Sequence, residues 1–351
     1  MTEEPEVKRA NWLELFFDLV FVYAIAKATH VIATPHGGQV PLEDYGLFLL
    51  IMIPVWWAWT GHTLFTNRFD TGDSTHRMLT LAQMLAALFL AAFINPDFDA
   101  TYTGFLLSYL AIRLLLIAMY LRVGSKRPGI APITKPMSMG FGLGLVVVAC
   151  SCFFDPPWRY AVLYAGIFIE FMTPILLRSR LSTIPVDGHH LPERFGLLTI
   201  ILFGESVVAL GAPLSTGHLS VGSVAAVVVG FVVLSAAWWV YFVLTDEMLV
   251  GRDLGNGQRI IYGHLPLYAG LAVLANFVRF GADAALSTGA HLAMGAFGLA
   301  LFLGALGFIH GAVALCERPR VRLAILVLLA GSAALLGLGA LGVEGAGGAS
   351  H

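Results

Sequence analysis

Charge is what this sequence has least of. Only 12% of its 351 residues are Asp, Glu, Lys or Arg, against roughly 25% in an average soluble domain. A chain so poor in charge is not built for water alone. Cysteine is scarce too: the three present are an odd number, and Cys150 and Cys152 stand two apart in an apolar run, so neither a disulfide framework nor a zinc site is indicated. The chain also lacks HExxH, a Gly-rich phosphate loop and GxSxG, which leaves a hydrolase or nucleotide-driven pump without positive support. A net charge of −2 without a basic patch gives no nucleic-acid signal. No cleavable leader is evident, because the first apolar run begins at Trp12, carries Glu14, Asp18 and Lys27 and has no small-residue cleavage site. Helix one is therefore expected to stay.

Apolar residues take the place of charge: 58% of the chain is hydrophobic and the mean hydropathy is +0.81. A hydrocarbon core about 30 Å thick needs about 20 mostly apolar residues per helix, and runs of that length recur between short polar connections. Barrel strands would instead alternate over about ten residues. The sequence predicts an all-α, polytopic transmembrane bundle forming a single integral membrane domain over 1–351. Eleven spans are expected, near 12–33, 44–66, 74–95, 102–122, 137–154, 157–178, 193–212, 219–244, 259–280, 288–312 and 321–343.

With the N-terminus inside, the cytoplasmic segments hold Lys8, Arg9, Arg68, Arg77, Arg122, Lys126, Arg127, Lys135, Arg178, Arg180, Arg194, Arg252, Arg259, Arg318, Arg320 and Arg322, sixteen of the twenty cationic residues. The positive-inside rule then puts the N-terminus in the cytoplasm and the C-terminus outside. Trp56-Trp57 recurs as Trp238-Trp239 and Arg77 as Arg259, both at an offset of 182, and Glu14 and Glu193 follow at 179. Parallel repeats over 11–155 and 190–345 with a linker helix at 157–178 would account for these offsets, as in transporters whose sites lie between repeats; chance matching among apolar helices is the alternative.

A charge at the bilayer centre costs roughly 2.5–3.5 kcal/mol on insertion scales, so charged side chains within spans mark candidate sites. Glu14 and Asp18 stand four apart and share a helix face; together they invite a cation, a proton or an arginine, or simply stabilise a helix N-terminus. The second helix carries Trp56-Trp57-Ala58-Trp59, His62 and Asn67-Arg68-Phe69-Asp70. Its tryptophans include expected interface anchors; Arg68 and Asp70 are either partners for the first cluster or a solvated loop. His190-Leu191-Pro192-Glu193-Arg194 opens helix seven, with Pro192 suited to a helix start. Glu205 follows Glu193 by twelve residues, about 18 Å, which puts it near mid-membrane. Burial is expected to favour its protonated form unless Arg113, a histidine or a bound cation sits close; an interhelical hydrogen bond made by the protonated acid is the alternative. Glu170, Asp246 and His264 are supporting candidates.

The segments Glu14-Leu15-Phe16-Phe17-Asp18, Trp57-Ala58-Trp59, Asn67-Arg68-Phe69-Asp70, His190-Leu191-Pro192-Glu193-Arg194-Phe195-Gly196 and Gly204-Glu205-Ser206 resemble, in order and spacing, the bacterial low-temperature-requirement A (LtrA) family. The resemblance implies a multi-pass protein of the bacterial inner membrane, of a family named for growth in the cold, and marks Glu14, Asp18, Arg68, Asp70, His190, Glu193, Arg194 and Glu205 as family-type polar positions. It implies no established reaction or cofactor. The family's aromatic pair followed closely by an acid is spread out here, with three residues between Tyr241-Phe242 and Asp246.

Three functions remain open. A transporter or permease would bind an ion or small polar solute in a cytoplasm-facing charged cavity; a membrane enzyme acting on a lipid or small metabolite would use His190 with Glu193 as acid and base; a structural or partner-binding protein would use the charges as a static network. The bilayer is the expected partner, and no metal is implied.

Overall fold

A computed structural model of the chain describes residues 9–211, 221–251, 254, 255, 257–283 and 285–348; Lys8 and Arg252 of the inside tally lie outside them. All the secondary-structure elements of the described residues are helices, without strands. The long helices are α1 (Trp12–Val31), α2 (Leu42–Phe69), α3 (Ser74–Ala92), α4 (Phe98–Lys126), α5 (Ala131–Cys150), α6 (Trp158–Leu176), α7 (His190–Gly211), α8 (Val221–Met248), α9 (Gln258–Asp283), α10 (Thr288–His310) and α11 (Pro319–Gly348). Each corresponds to one of the expected runs. Ten of them, all but α1, are long and apolar enough to cross a membrane. At 20 residues α1 has the length, about 30 Å, but carries Glu14, Asp18 and Lys27.

Two compact units divide the chain: Met1–Ala28 with Ile51–Arg194 and Gly251–Gly257, and Thr29–Leu50 with Phe195–Val250 and Gln258–His351. In the first unit α2 is the enclosed helix, with every residue from Pro54 to Asn67 buried. In the second, α9 holds that place, and Tyr241, His264 and Tyr268 are interior.

Polarity is arranged inside out. On α3 the buried side carries His76, Thr80 and Gln83, while Leu81, Leu85, Leu88 and Phe89 are exposed. Hydrocarbon reverses the usual cost of exposing leucine, and the backbone's own polar groups are satisfied within the helix. Helix ends show ordinary devices: Asp73 caps α3 through the His76 N–H and pairs with Arg122 and Lys126, and the Arg122 contact is the main reason its carboxyl is held below the usual range. At the start of α1, Asn11 and Glu14 form a reciprocal capping box, each side chain accepting the other's N–H at 2.9 and 3.0 Å.

Close approach of α5 and α6 fixes where Glu170 stands. A Cβ on Gly166 would lie 2.6 Å from the Gly144 carbonyl oxygen and 2.7 Å from the Val148 nitrogen, so only hydrogen fits at that crossing, the small-residue packing membrane helices use. Gly166→Ala should destabilise by about 1–3 kcal/mol, whereas Gly142→Ala, which meets nothing within 4 Å, should be neutral or stabilising. Thermal unfolding of both variants in detergent checks this; equal effects would refute the packing argument.

Candidate functional site

The chain's most concentrated buried charge lies where α1, α2 and the first turn of α7 meet within the first unit. Glu14 and Asp18 stand four positions apart, one helical turn, so both carboxylates face the same way, and His190 and Arg194 stand four apart on α7. Arg194 is fully buried and bridges the two acids, with Nη1 2.8 Å from Glu14 Oε1 and Nη2 2.6 Å from Asp18 Oδ1. Glu14 Oε2 accepts from the Asn11 N–H and lies 3.2 Å from His190 Nε2. The indole N–H of Trp59 donates to Asp18 Oδ1 at 2.7 Å. The two carboxylates are no more than 2% exposed.

His190 is held from behind. Asp187 accepts from the backbone N–H of His190 and of His189, capping α7. Asn67 Oδ1 accepts from the Asp187 N–H at 2.9 Å, and Asn67 Nδ2 lies 3.1 Å from His190 Nδ1.

The other candidate residues stand elsewhere. Glu193 is half-buried and accepts from the Ala10 N–H at 3.1 Å; His190 turns its two ring nitrogens to Asn67 and Glu14 instead. Arg68 donates to the Ile184 carbonyl at 3.0 Å. Asp70 pairs with His76 at 3.5 Å and takes the Gly72 N–H. His62 is buried and stacked on Phe17, ring centres 4.0 Å apart. Glu205 is exposed on α7, as is Asp246 on α8, and next to it Glu247 pairs with Arg318. In the second unit His264 Nδ1 contacts the Ile260 carbonyl and Nε2 the Tyr241 hydroxyl.

Arg113 is engaged with Glu170, at 3.0 Å, both fully buried. Tyr109 and the Trp57 indole also donate to Glu170, at 2.8 and 3.0 Å. Trp57 and Trp59 are two residues apart, about 200° around a helix, so α2 serves one carboxylate on each side. The expected interface anchors are thus core residues: Trp56, Trp57 and Trp59 are at most 1% exposed, because two of their N–H groups have buried acceptors that hydrocarbon or headgroups would not supply. Trp238 and Trp239, which match Trp56 and Trp57 at the repeat offset, are 40% and 49% exposed.

The chain matches the family described as bacterial low temperature requirement A protein (LtrA) over residues 9–347, nearly all of its length. It belongs to the LtrA family. An uncharacterized protein of Rhizobium meliloti (strain 1021), RA0937, is 25% identical over 333 residues, which span 88% of this chain and 77% of that one. No solved structure matches. Family membership and the many apolar helices make this an integral, multi-pass membrane protein.

Removing one partner from a buried ion pair leaves an uncompensated charge and costs about 3–5 kcal/mol. For this LtrA-family protein, Arg194→Gln should lose stability of that order, while Asp70→Asn should stay within about 0.5 kcal/mol. Denaturant unfolding in micelles measures both; a mild Arg194→Gln would mean that the cluster is not held by this pair.

Proposed function

We propose that the protein is a transporter or permease for an ion or small polar solute, working from the Glu14–Asp18–His190–Arg194 cluster on the cytoplasmic side of the inner membrane. The observation that carries this reading is a fully buried guanidinium bridging two carboxylates at the junction of three helices. Ionised groups in hydrocarbon are costly and mark ion and substrate pathways. The side follows from the positive-inside tally together with the position of Glu14 and His190 at the first turns of α1 and α7. Glu205, exposed on α7, has no part in this centre. The cluster as it stands is the closed state, in which ion pairs occupy the groups that a solute would use.

A second reading has an observation of its own. Both oxygens of Glu14 and both ring nitrogens of His190 have polar partners at 3.2 Å or less, as a static clamp would require. Flux separates the two. In proteoliposomes carrying a pH gradient, with a panel of monovalent ions, amino acids and small polyols, Asp18→Asn and Arg194→Lys should cut transport of the active solute about tenfold or more, the effect of about 1.4 kcal/mol on a barrier. Variants that transport as wild type does and differ only in melting temperature would establish the clamp instead.

A further inference from the structure

Hydrogen-bond directions in the cluster settle its charge count. The Asp187 N–H can donate only to an oxygen, so the Asn67 amide must place Oδ1 there and its NH₂ toward His190 Nδ1. That nitrogen then accepts, and the ring's one hydrogen lies on Nε2, donated to Glu14 Oε2. Charging His190 would set Nδ1–H against the Asn67 NH₂, donor against donor. With His190 neutral, Glu14 and Asp18 carry two negative charges against the one positive charge of Arg194.

The surplus falls on one atom. Glu14 Oε2 takes the Asn11 N–H and His190, Glu14 Oε1 makes no hydrogen bond but faces the Arg194 cation at 2.8 Å, and Asp18 Oδ1 receives both Arg194 and Trp59. Asp18 Oδ2 is buried without a hydrogen-bond partner. The remaining titratable group facing the cluster among the described residues, His62 on α2, makes no full hydrogen bond through either ring nitrogen and has the Gln83 side chain as its polar neighbour, so a charged imidazolium there would leave at least one donor unmet in apolar surroundings; behind it on α3 stands His76, which is engaged with Asp70. An unpaired carboxylate oxygen is far costlier to bury than a neutral hydroxyl. A metal cation fits poorly, since Arg194 already lies 2.6 Å from the same carboxylate and, among the described residues, no three His, Cys, Asp or Glu side chains converge to hold one.

We infer that Asp18 binds one exchangeable proton at Oδ2, making the cluster a proton-binding site whose protonated form is the closed, neutral state. The inference rests on the transport reading for its role, as the coupling ion, but not for its chemistry. Losing the proton leaves the site with one net negative charge, which a cationic or hydrogen-bond-donating solute would neutralise.

Infrared difference spectroscopy of the purified full-length protein tests it. Wild type at neutral pH should show a protonated-carboxyl C=O stretch that shifts down in D₂O, vanishes in Asp18→Asn and persists in Glu14→Gln. Trp59→Phe, which removes the donor to Oδ1 and keeps the carboxyl, should shift the same band to higher frequency, so the assignment survives even where Asp18→Asn folds poorly. A band unchanged in both variants, or one abolished by adding sodium or potassium chloride, would overturn the inference. A band without flux would refute transport and leave the proton site standing; flux without the band would do the reverse.

Discussion

Arg194 wedged between Glu14 and Asp18 is the constraint from which the first unit's interior follows. Three ionisable groups buried together are tolerable only when their geometry is complete, and completing it requires helices far apart in sequence to meet. Glu14 and Asp18 come from α1, Trp59 and Asn67 from α2, His190 and Arg194 from α7. Each supplies a group that another cannot replace: a planar fork for two carboxylates, an indole N–H, and an amide that reads both a backbone N–H and an imidazole. The same requirement explains two of the three charges that set α1 apart from the ten other long helices, Glu14 and Asp18.

Helix α2 is the partition around which this is built. Its two outward-reaching indoles serve a charged cluster on one side and the Arg113–Glu170 pair on the other. The second pair is self-neutralising, one guanidinium against one carboxylate, with Tyr109 as an added donor. Identical chemistry thus gives two different electrostatic outcomes: a balanced pair suited to holding α4 and α6 together, and an unbalanced trio suited to exchanging an ion. The close crossing of α5 and α6 at Gly144 and Gly166 keeps Glu170 at its station.

Much of this was legible in the residues, because hydrocarbon imposes length. All eleven apolar runs are helices, with ends displaced by up to about six residues where polar turns such as Ala131–Lys135 continue the helix. The four groups at the heart of the cluster were also marked in advance, since charge in an apolar run is conspicuous. Lateral pairing was not legible. A helix such as α2, buried around its whole circumference from Pro54 to Asn67, has no single apolar stripe to say which face meets which neighbour, so Trp59 and Asn67 were visible as motif residues but not as partners of Asp18 and His190. Arg113, one of the partners offered for Glu205, meets Glu170 instead, and Glu205 is exposed; depth along a helix can be counted from sequence, but rotation about its axis cannot. Glu193 lies one helical turn from His190 yet the imidazole faces Glu14, because a capping aspartate and Asn67 set the ring.

The account's central claim is that the cluster's histidine carries no charge, leaving the acids in excess. Solid-state nitrogen NMR of the histidine-labelled protein at neutral pH, with the His190 signals assigned by difference from His190→Gln, reads this directly. The account predicts a neutral ring with its hydrogen on Nε2 and a bare Nδ1. A ring protonated on both nitrogens would contradict it, since the cluster would then balance without a proton on Asp18.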